Sequence, residues 1–268
     1  MVLSSNNIPD SKGINAYLRD KSFSKLLEYY CGKELFEQVE NKFIELGEIV
    51  GSELEELALS ADKNPPKLKK RSRVGELSND IEKHPDFIKI EKFAFEKFGL
   101  AAMSHRHGVF GMQQPLPPIV KYGLTFLFVQ SEFGLCCPLS MTDSLTRTLK
   151  KFGDKKLIDK FFDQLTSQDL DRLFQGAMFM TEQHAGSDVG SIDTYAEYED
   201  GNWFLTGDKW FCSNPDADLA MVLARHNKTI SGTKGLALFL LPKKLENGDL
   251  NNYEIIRLLE ERLLKLNN

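Results

Sequence analysis

The chain has 268 residues, 41% hydrophobic and 27% charged, with a net charge of −5. That is the composition of a soluble globular protein, long enough for two domains and for cores that bury about 75% of the unfolded surface. The acidic balance disfavours nucleic acid or an anionic membrane as partners of the surface as a whole. At the N-terminus, Met1 to Asp10 has no basic region followed by an apolar run, so no secretory signal is expected. The richest apolar stretch, residues 123–141, is broken by Gln130, Glu132 and Pro138 and reads as buried helix rather than a membrane span. Cys31, Cys136, Cys137 and Cys212 lack CxxC spacing. Free thiols in a reducing cytoplasm are expected, and no zinc or other metal site.

Residues 1–32 read as irregular, with helical potential over 24–30. From Lys33 to Ala61, apolar residues such as Leu35, Val39, Phe43, Leu46, Val50, Leu54 and Leu57 recur every three or four positions. This is the stripe of one long amphipathic helix, in which Gly47 and Gly51 are candidate points of close packing. Residues 61–79, with Pro65-Pro66 and a basic run from Lys67 to Arg71, read as a solvated loop. Asp86 is expected to cap a helix reaching Phe98, and a helix apolar nearly all round is expected over 119–135. Amphipathic helices follow over 142–151 and 154–164.

The period then shortens. Residues 177–181, 194–199, 203–206, 209–213, 219–225 and 236–241 are strand-like runs. Between them lie the turn signals Asp200-Gly201, Gly207-Asp208, Asn214-Pro215-Asp216 and Ser231-Gly232. The expected class is α+β: an all-α helical bundle over 1–174, then a partial antiparallel β-sandwich or barrel over 175–268.

Two segments carry chemistry, Met178 to Val189 and Gly207 to Asn214. Each runs from strand-like residues into a turn and sets hydroxyls (Thr181, Ser187, Ser213) beside apolar and aromatic groups. A flat apolar wall with fixed donors at its edge suits a planar, heteroatom-rich ring. Gly186 lets the backbone approach a ligand closely, and successive amides in such a turn form an anion nest. Gly-Ser-Asp alone is common in ordinary turns; its pairing with Met-Thr-Glu and with Gly-x-Lys-x-Phe-x-Ser is what makes it specific. His184 reads as a solvated loop histidine. His105 and His107, two apart, are expected to point to opposite sides and not to form an acid–base pair.

Met-Thr-Glu-x-x-Ala-Gly-Ser-Asp-Val from Met180, followed by Gly207-Asp208-Lys209-Trp210-Phe211-Cys212-Ser213, resembles the flavin-binding middle domain of acyl-CoA dehydrogenases. Gly134 to Thr142 and Lys209 to Ser213 look like the bacterial adaptive-response (alkylation-response) branch. The resemblance implies FAD as cofactor and an acyl-CoA-like thioester as substrate, dehydrogenated at Cα–Cβ in fatty acid metabolism. By position it implies main-chain contacts from Met178 and Met180 at the flavin edge, a hydrogen bond from Thr181, and approach of Gly186 and Ser187 to the diphosphate. Ser187 also falls at the pantetheine arm of the substrate. Phe211 falls on the dimethylbenzene side and Ser213 near N5, with Cys212 between them in the same set. The chain departs from the pattern at Gln183-His184-Ala185, where relatives often have a first glycine.

In this family the general base lies in a C-terminal helical domain, for which residues 242–268 offer no counterpart. No catalytic residue is therefore assigned. The expectation is a truncated, cytoplasmic dehydrogenase-type flavoprotein, as a homo-oligomer or with a complementing C-terminal chain. Two alternatives are a non-catalytic flavin-binding or regulatory fragment and an acyl-CoA oxidase. Neither DNA nor a membrane is expected as a partner.

Overall fold

A computed structural model describes residues 11–258. They form two compact units. Among the described residues, no helix is long and apolar enough to cross a membrane.

The first unit takes residues up to 65, then 83–136 and 166–172. Its helices are α1 (Ala16–Arg19), α2 (Lys21–Cys31), α3 (Lys33–Val50), α4 (Glu53–Lys63), α5 (Pro85–Glu91) and α6 (Pro118–Phe128). The stripe expected as one helix from Lys33 to Ala61 is divided between α3 and α4. Gly51 and Ser52 form the break, and the Ser52 backbone is non-helical (φ −138°, ψ −96°). Apolar periodicity survives such a break because Leu46, Val50, Leu54 and Leu57 all still face the core. Gly47 and Gly51 do mark close approach. A Cβ at Gly47 would lie 2.3 Å from Asn15 Oδ1, and one at Gly51 would lie 2.0 Å from the Ile14 carbonyl oxygen. Asn15 is placed there to cap α1, accepting from the Tyr17 and Leu18 amides, while its Nδ2 donates to the Ile44 carbonyl.

His84 rather than Asp86 occupies the cap of α5, and the helix widens into a π-turn over Lys92–Lys97. Helix α6 ends at Phe128, before the expected Leu135. His105 is buried and His107 exposed.

The second unit takes residues 66–82, 137–165 and 173 onward. The stretch 61–79, expected as loop, instead enters a hairpin of β1 (Lys67–Arg71) and β2 (Leu77–Glu82). Lys67 pairs with Glu82 and Lys69 with Asp80, so cross-strand charges replace the missing apolar alternation. Asn79 clamps a distant segment, donating from Nδ2 to the Tyr253 carbonyl (2.7 Å) and accepting at Oδ1 from the Ile255 amide (3.0 Å).

Helices α7 (Cys136–Phe152) and α8 (Lys155–Leu165) lie against a five-stranded sheet. Its strands are β3 (Gly176–Phe179), β4 (Tyr195–Glu199), β5 (Asn202–Thr206), β6 (Leu219–Arg225) and β7 (Leu236–Pro242). Central β6 runs parallel to β3 on one edge and antiparallel to β7 on the other, and β4 bridges its end at Arg225. One face packs Leu219 and Met221 on Leu145, Leu149, Phe161 and Leu165. The opposite face carries Ala177, Phe179, Ala220 and Val222. Asp200 (φ 49°) and Gly201 (φ 84°) make the two-residue turn between β4 and β5 that their sequence calls for.

Residues 209–213, expected as a strand, are an irregular loop. Phe211 (φ 57°) and Asn214 (φ 55°) sit in the left-handed region, which no ladder can accommodate.

Candidate functional site

The carboxylate of Glu182 organises the turn after β3. It is 4% exposed. It accepts from Lys209 Nζ (2.8 Å), from the amides of Asp193 (2.6 Å) and Thr194 (3.0 Å), and from the Thr194 hydroxyl. Burial alone raises the Glu182 pKa, but those hydrogen bonds, with Lys209 first, outweigh it and hold the group at about 2. Burial likewise pulls the Lys209 ammonium below its usual range, against the stabilising contact with Glu182.

Lys209 is the hinge between the two sequence segments. Its Nζ also donates to the Met180 carbonyl (3.2 Å), and the next amide, Trp210, donates to the Thr181 carbonyl (2.8 Å). Gly207 permits this approach. It has φ 146°, and a Cβ there would lie 2.6 Å from Thr194 Oγ1 and 2.7 Å from Thr194 Cα.

The sequence-predicted residues fall around this hinge. In the β3–β6 ladder the Leu219 amide donates to Gln175, so alternation turns the main-chain groups of Gly176, Met178 and Met180 to the free edge of β3. Gly176 is capped there by Thr142 Oγ1 and Asn214 Nδ2, and Met180 by Lys209. Among the described residues no hydrogen bond engages the Met178 N–H or C=O, while its side chain packs into the helix-facing core. Thr181 is joined to the second segment through Trp210. Gly186 stands next to Thr181, a Cβ there reaching Thr181 Cγ2 at 3.8 Å. Among the described residues no hydrogen bond engages the hydroxyls of Thr181, Ser187 or Ser213. The Phe211 ring is 64% exposed in its left-handed loop. Cys212 faces the other way: its thiol packs with the Ala177 and Val222 cluster, and burial pushes it up to about 11.

Asp188 turns its carboxylate away, accepting from the Gly190 amide (3.0 Å) and the Ser191 hydroxyl. His184 lies 3.1 Å from Asp193 Oδ2. Glu182, His184 and Asp193 bring donor atoms within 4.8 Å of one another, but the Lys209 ammonium already holds the buried carboxylate, so no metal is assigned.

Residues 6–172 match the model of the adaptive response protein AidB N-terminal domain, and residues 177–254 that of the acyl-CoA dehydrogenase middle domain. The chain belongs to the acyl-CoA dehydrogenase family. It is 30% identical to acyl-CoA dehydrogenase family member 11 of Caenorhabditis elegans over 91% of its own length and 40% of that protein. It is also 30% identical to the putative acyl-CoA dehydrogenase AidB of Escherichia coli, over 76% of this chain and 37% of that one. The chain thus spans about 40% of the length of these curated relatives. Among solved structures, Bd2924 in its apo-form superposes with TM-score 0.81 at 26% identity, covering 93% of this chain and 50% of that one. Caenorhabditis elegans ACDH-11, in complex with C11-CoA, gives 0.80 at 27% identity, covering 96% and 44%.

In this acyl-CoA dehydrogenase family member, sequence reasoning missed Glu182, Thr194 and Lys209, although Glu182 and Lys209 lie inside the two quoted motifs. A carboxylate in one segment and an ammonium in the other was the available signal.

Proposed function

We propose that this chain holds FAD along the free edge of β3 and acts in acyl-CoA dehydrogenase-type oxidoreduction of an acyl-CoA-like thioester. The observation that carries the reading is the Trp210–Thr181 main-chain bond, which gathers both motifs into one rim. The donor set fits the cofactor. Unengaged hydroxyls at Thr181 and Ser213 and open main-chain groups at Met178 supply an edge, and the exposed Phe211 ring supplies an apolar wall. Ser187 and the backbone at Gly186 suit the diphosphate, with Ser187 also in reach of the pantetheine arm. When bound, FAD would supply the acceptor for the electron pair leaving the thioester. The chain's own part is to orient the ring: the Glu182–Lys209 pair fixes the loop, and Thr181 and Ser213 donate at its rim without titrating.

The Thr181→Val variant tests this by flavin titration, with loss of about 1 kcal/mol, or roughly fivefold in Kd. An unchanged Kd would remove Thr181 from the site. Because the chain spans about 40% of its relatives, a second reading is a flavin-binding fragment that needs a complementing C-terminal chain. Yellow protein without turnover of acyl-CoA and an artificial acceptor supports that reading; turnover by this chain alone defeats it. The free thiols of Cys31, Cys137 and Cys212 fit a cytoplasmic setting.

A further inference from the structure

We infer that His184, seated on Asp193, is a pH-controlled phosphate anchor at the turn that carries Gly186 and Ser187. Its ligand is the diphosphate of FAD or the phosphates of a coenzyme A thioester, held more tightly when the imidazole is protonated. The inference rests on the flavin-site reading for where the ligand lies.

The turn and the ring are both fixed. The Glu182 amide donates to the Ala185 carbonyl (3.1 Å), and the Ala185 amide returns a bond to the Glu182 carbonyl (3.1 Å). Gln183 and His184 form the tip of that closed loop. Ala185 is buried, whereas His184, Gly186 and Ser187 are exposed. The imidazole is nevertheless not a free solvated group: Nε2 lies 3.1 Å from Asp193 Oδ2 and 4.0 Å from Glu182 Oε2. Asp193 is itself tied to the turn, its amide donating to Glu182 Oε2 (2.6 Å). Facing two carboxylate oxygens, Nε2 carries a hydrogen in either charge state. Nδ1 is therefore the atom that gains and loses the proton. The neutral ring shows an anion a lone pair there. The imidazolium instead bridges Asp193 and a phosphate oxygen with one N–H each, both charge-assisted.

The charges around the turn leave room for that anion. Glu182 is held by Lys209 (2.8 Å), and Asp188 by the Gly190 amide and the Ser191 hydroxyl. Asp193 is held by His184, and Arg225 Nη2 donates to the Gly190 carbonyl (2.6 Å), which sets a further cation beside this segment. Each carboxylate of residues 182–193 thus has a donor of its own. His184 is the one histidine among them, and histidine is the side chain whose ordinary titration falls between about pH 5 and 8. Beside it, among the described residues, no hydrogen bond engages the amides of Gly186, Ser187, Asp188 and Val189. Successive amides of this kind suit a phosphate.

Equilibrium dialysis of the 268-residue chain against FAD, riboflavin and CoA, at about pH 5.5 and about pH 8, is the test. FAD or CoA is expected to bind about tenfold more tightly at the lower pH, and riboflavin, which has no phosphate, equally at both. His184→Gln removes the difference while leaving the affinity at the higher pH within about twofold. The CoA monoester also takes up a proton in this range, so that arm is read as wild type against His184→Gln at each pH. The ligand whose step is lost in the variant identifies the source of the phosphate. A step that survives in His184→Gln, or no step with either ligand, overturns the inference; flavin bound equally at both pH values then leaves the flavin site standing without His184. Absence of FAD and riboflavin binding at both pH values removes the flavin site instead, and a flat CoA arm would overturn this inference with it.

Discussion

The strands β3 and β7 flank the same central strand, and both present outward main-chain groups, yet they are finished differently. On β3, side chains from three distant places close the edge: Thr142 and Asn214 at Gly176, and Lys209 at Met180. Among the described residues Met178 alone is left open on that edge, in the middle of a rim of hydroxyls. On β7 the Pro242 carbonyl accepts from Asn251 Nδ2 (2.9 Å) and the Leu236 amide bonds within its own turn, while the strand is apolar from Leu236 to Leu241. An edge capped by side chains except at one residue is shaped for a small ligand.

The contrast depends on the Glu182–Lys209 pair, so breaking it has the largest expected effect. Glu182→Gln leaves the buried ammonium without a charge partner and costs about 3–5 kcal/mol in denaturant unfolding. The Glu182→Gln/Lys209→Met double variant should recover a substantial part of that loss, since no unpaired charge remains. If the double variant is no better than the single, the pair is not the unit that closes the loop. The acid limb of stability gives a second view. Glu182 titrates at about 2 when folded, against 4.5 as its unperturbed value, so the folded state favours the carboxylate. Its contribution is complete above pH 4.5 and drains away as the pH falls toward 2. In Glu182→Gln the stability profile should be flatter across that window; an unchanged slope would mean other carboxylates dominate it.

Gly207→Ala comes next. The new Cβ meets Thr194 at 2.6–2.7 Å, partly backbone, and the φ of 146° is closed to alanine. A loss of about 1–3 kcal/mol is expected, measured by thermal unfolding. Because Thr194 also supports Glu182, the loss should be smaller on a Glu182→Gln background. Additive losses would separate the two features.

The sequence displays these regions unequally. The helical stripes, the apolar α6, most of the strands and the Asp200-Gly201 turn follow from period and turn chemistry alone. The β1–β2 hairpin does not, because both of its faces are solvated and nothing imposes a two-residue period on Lys67 to Arg71. Left-handed φ at Phe211 leaves no mark in a run of strand-forming residues, so residues 209–213 read as a strand. Likewise Leu145, Leu149, Phe161 and Leu165 announce a buried stripe without saying that Leu219 and Met221 lie opposite. At the site, hydroxyls and glycines are visible as motif letters, whereas a Glu–Lys pair 27 positions apart in the chain needs the fold to bring it together.

The smallest expected effect discriminates most finely between a ligand rim and an ordinary turn. Neither the Thr181 nor the Ser213 hydroxyl engages a partner within the described chain, so deleting either should leave unfolding within about 0.5 kcal/mol of wild type. If the two reach the same flavin, Thr181→Val and Ser213→Ala each weaken it roughly fivefold, about 1 kcal/mol per lost hydrogen bond. Phe211→Ala supplies the control for the apolar wall. Alanine meets the same left-handed backbone as the phenylalanine it replaces, and the side chain lost is exposed, so stability changes little while flavin affinity falls. Stability losses in the hydroxyl variants with flavin binding intact would make the rim a structural turn, and the open Met178 edge would then lose its assigned ligand.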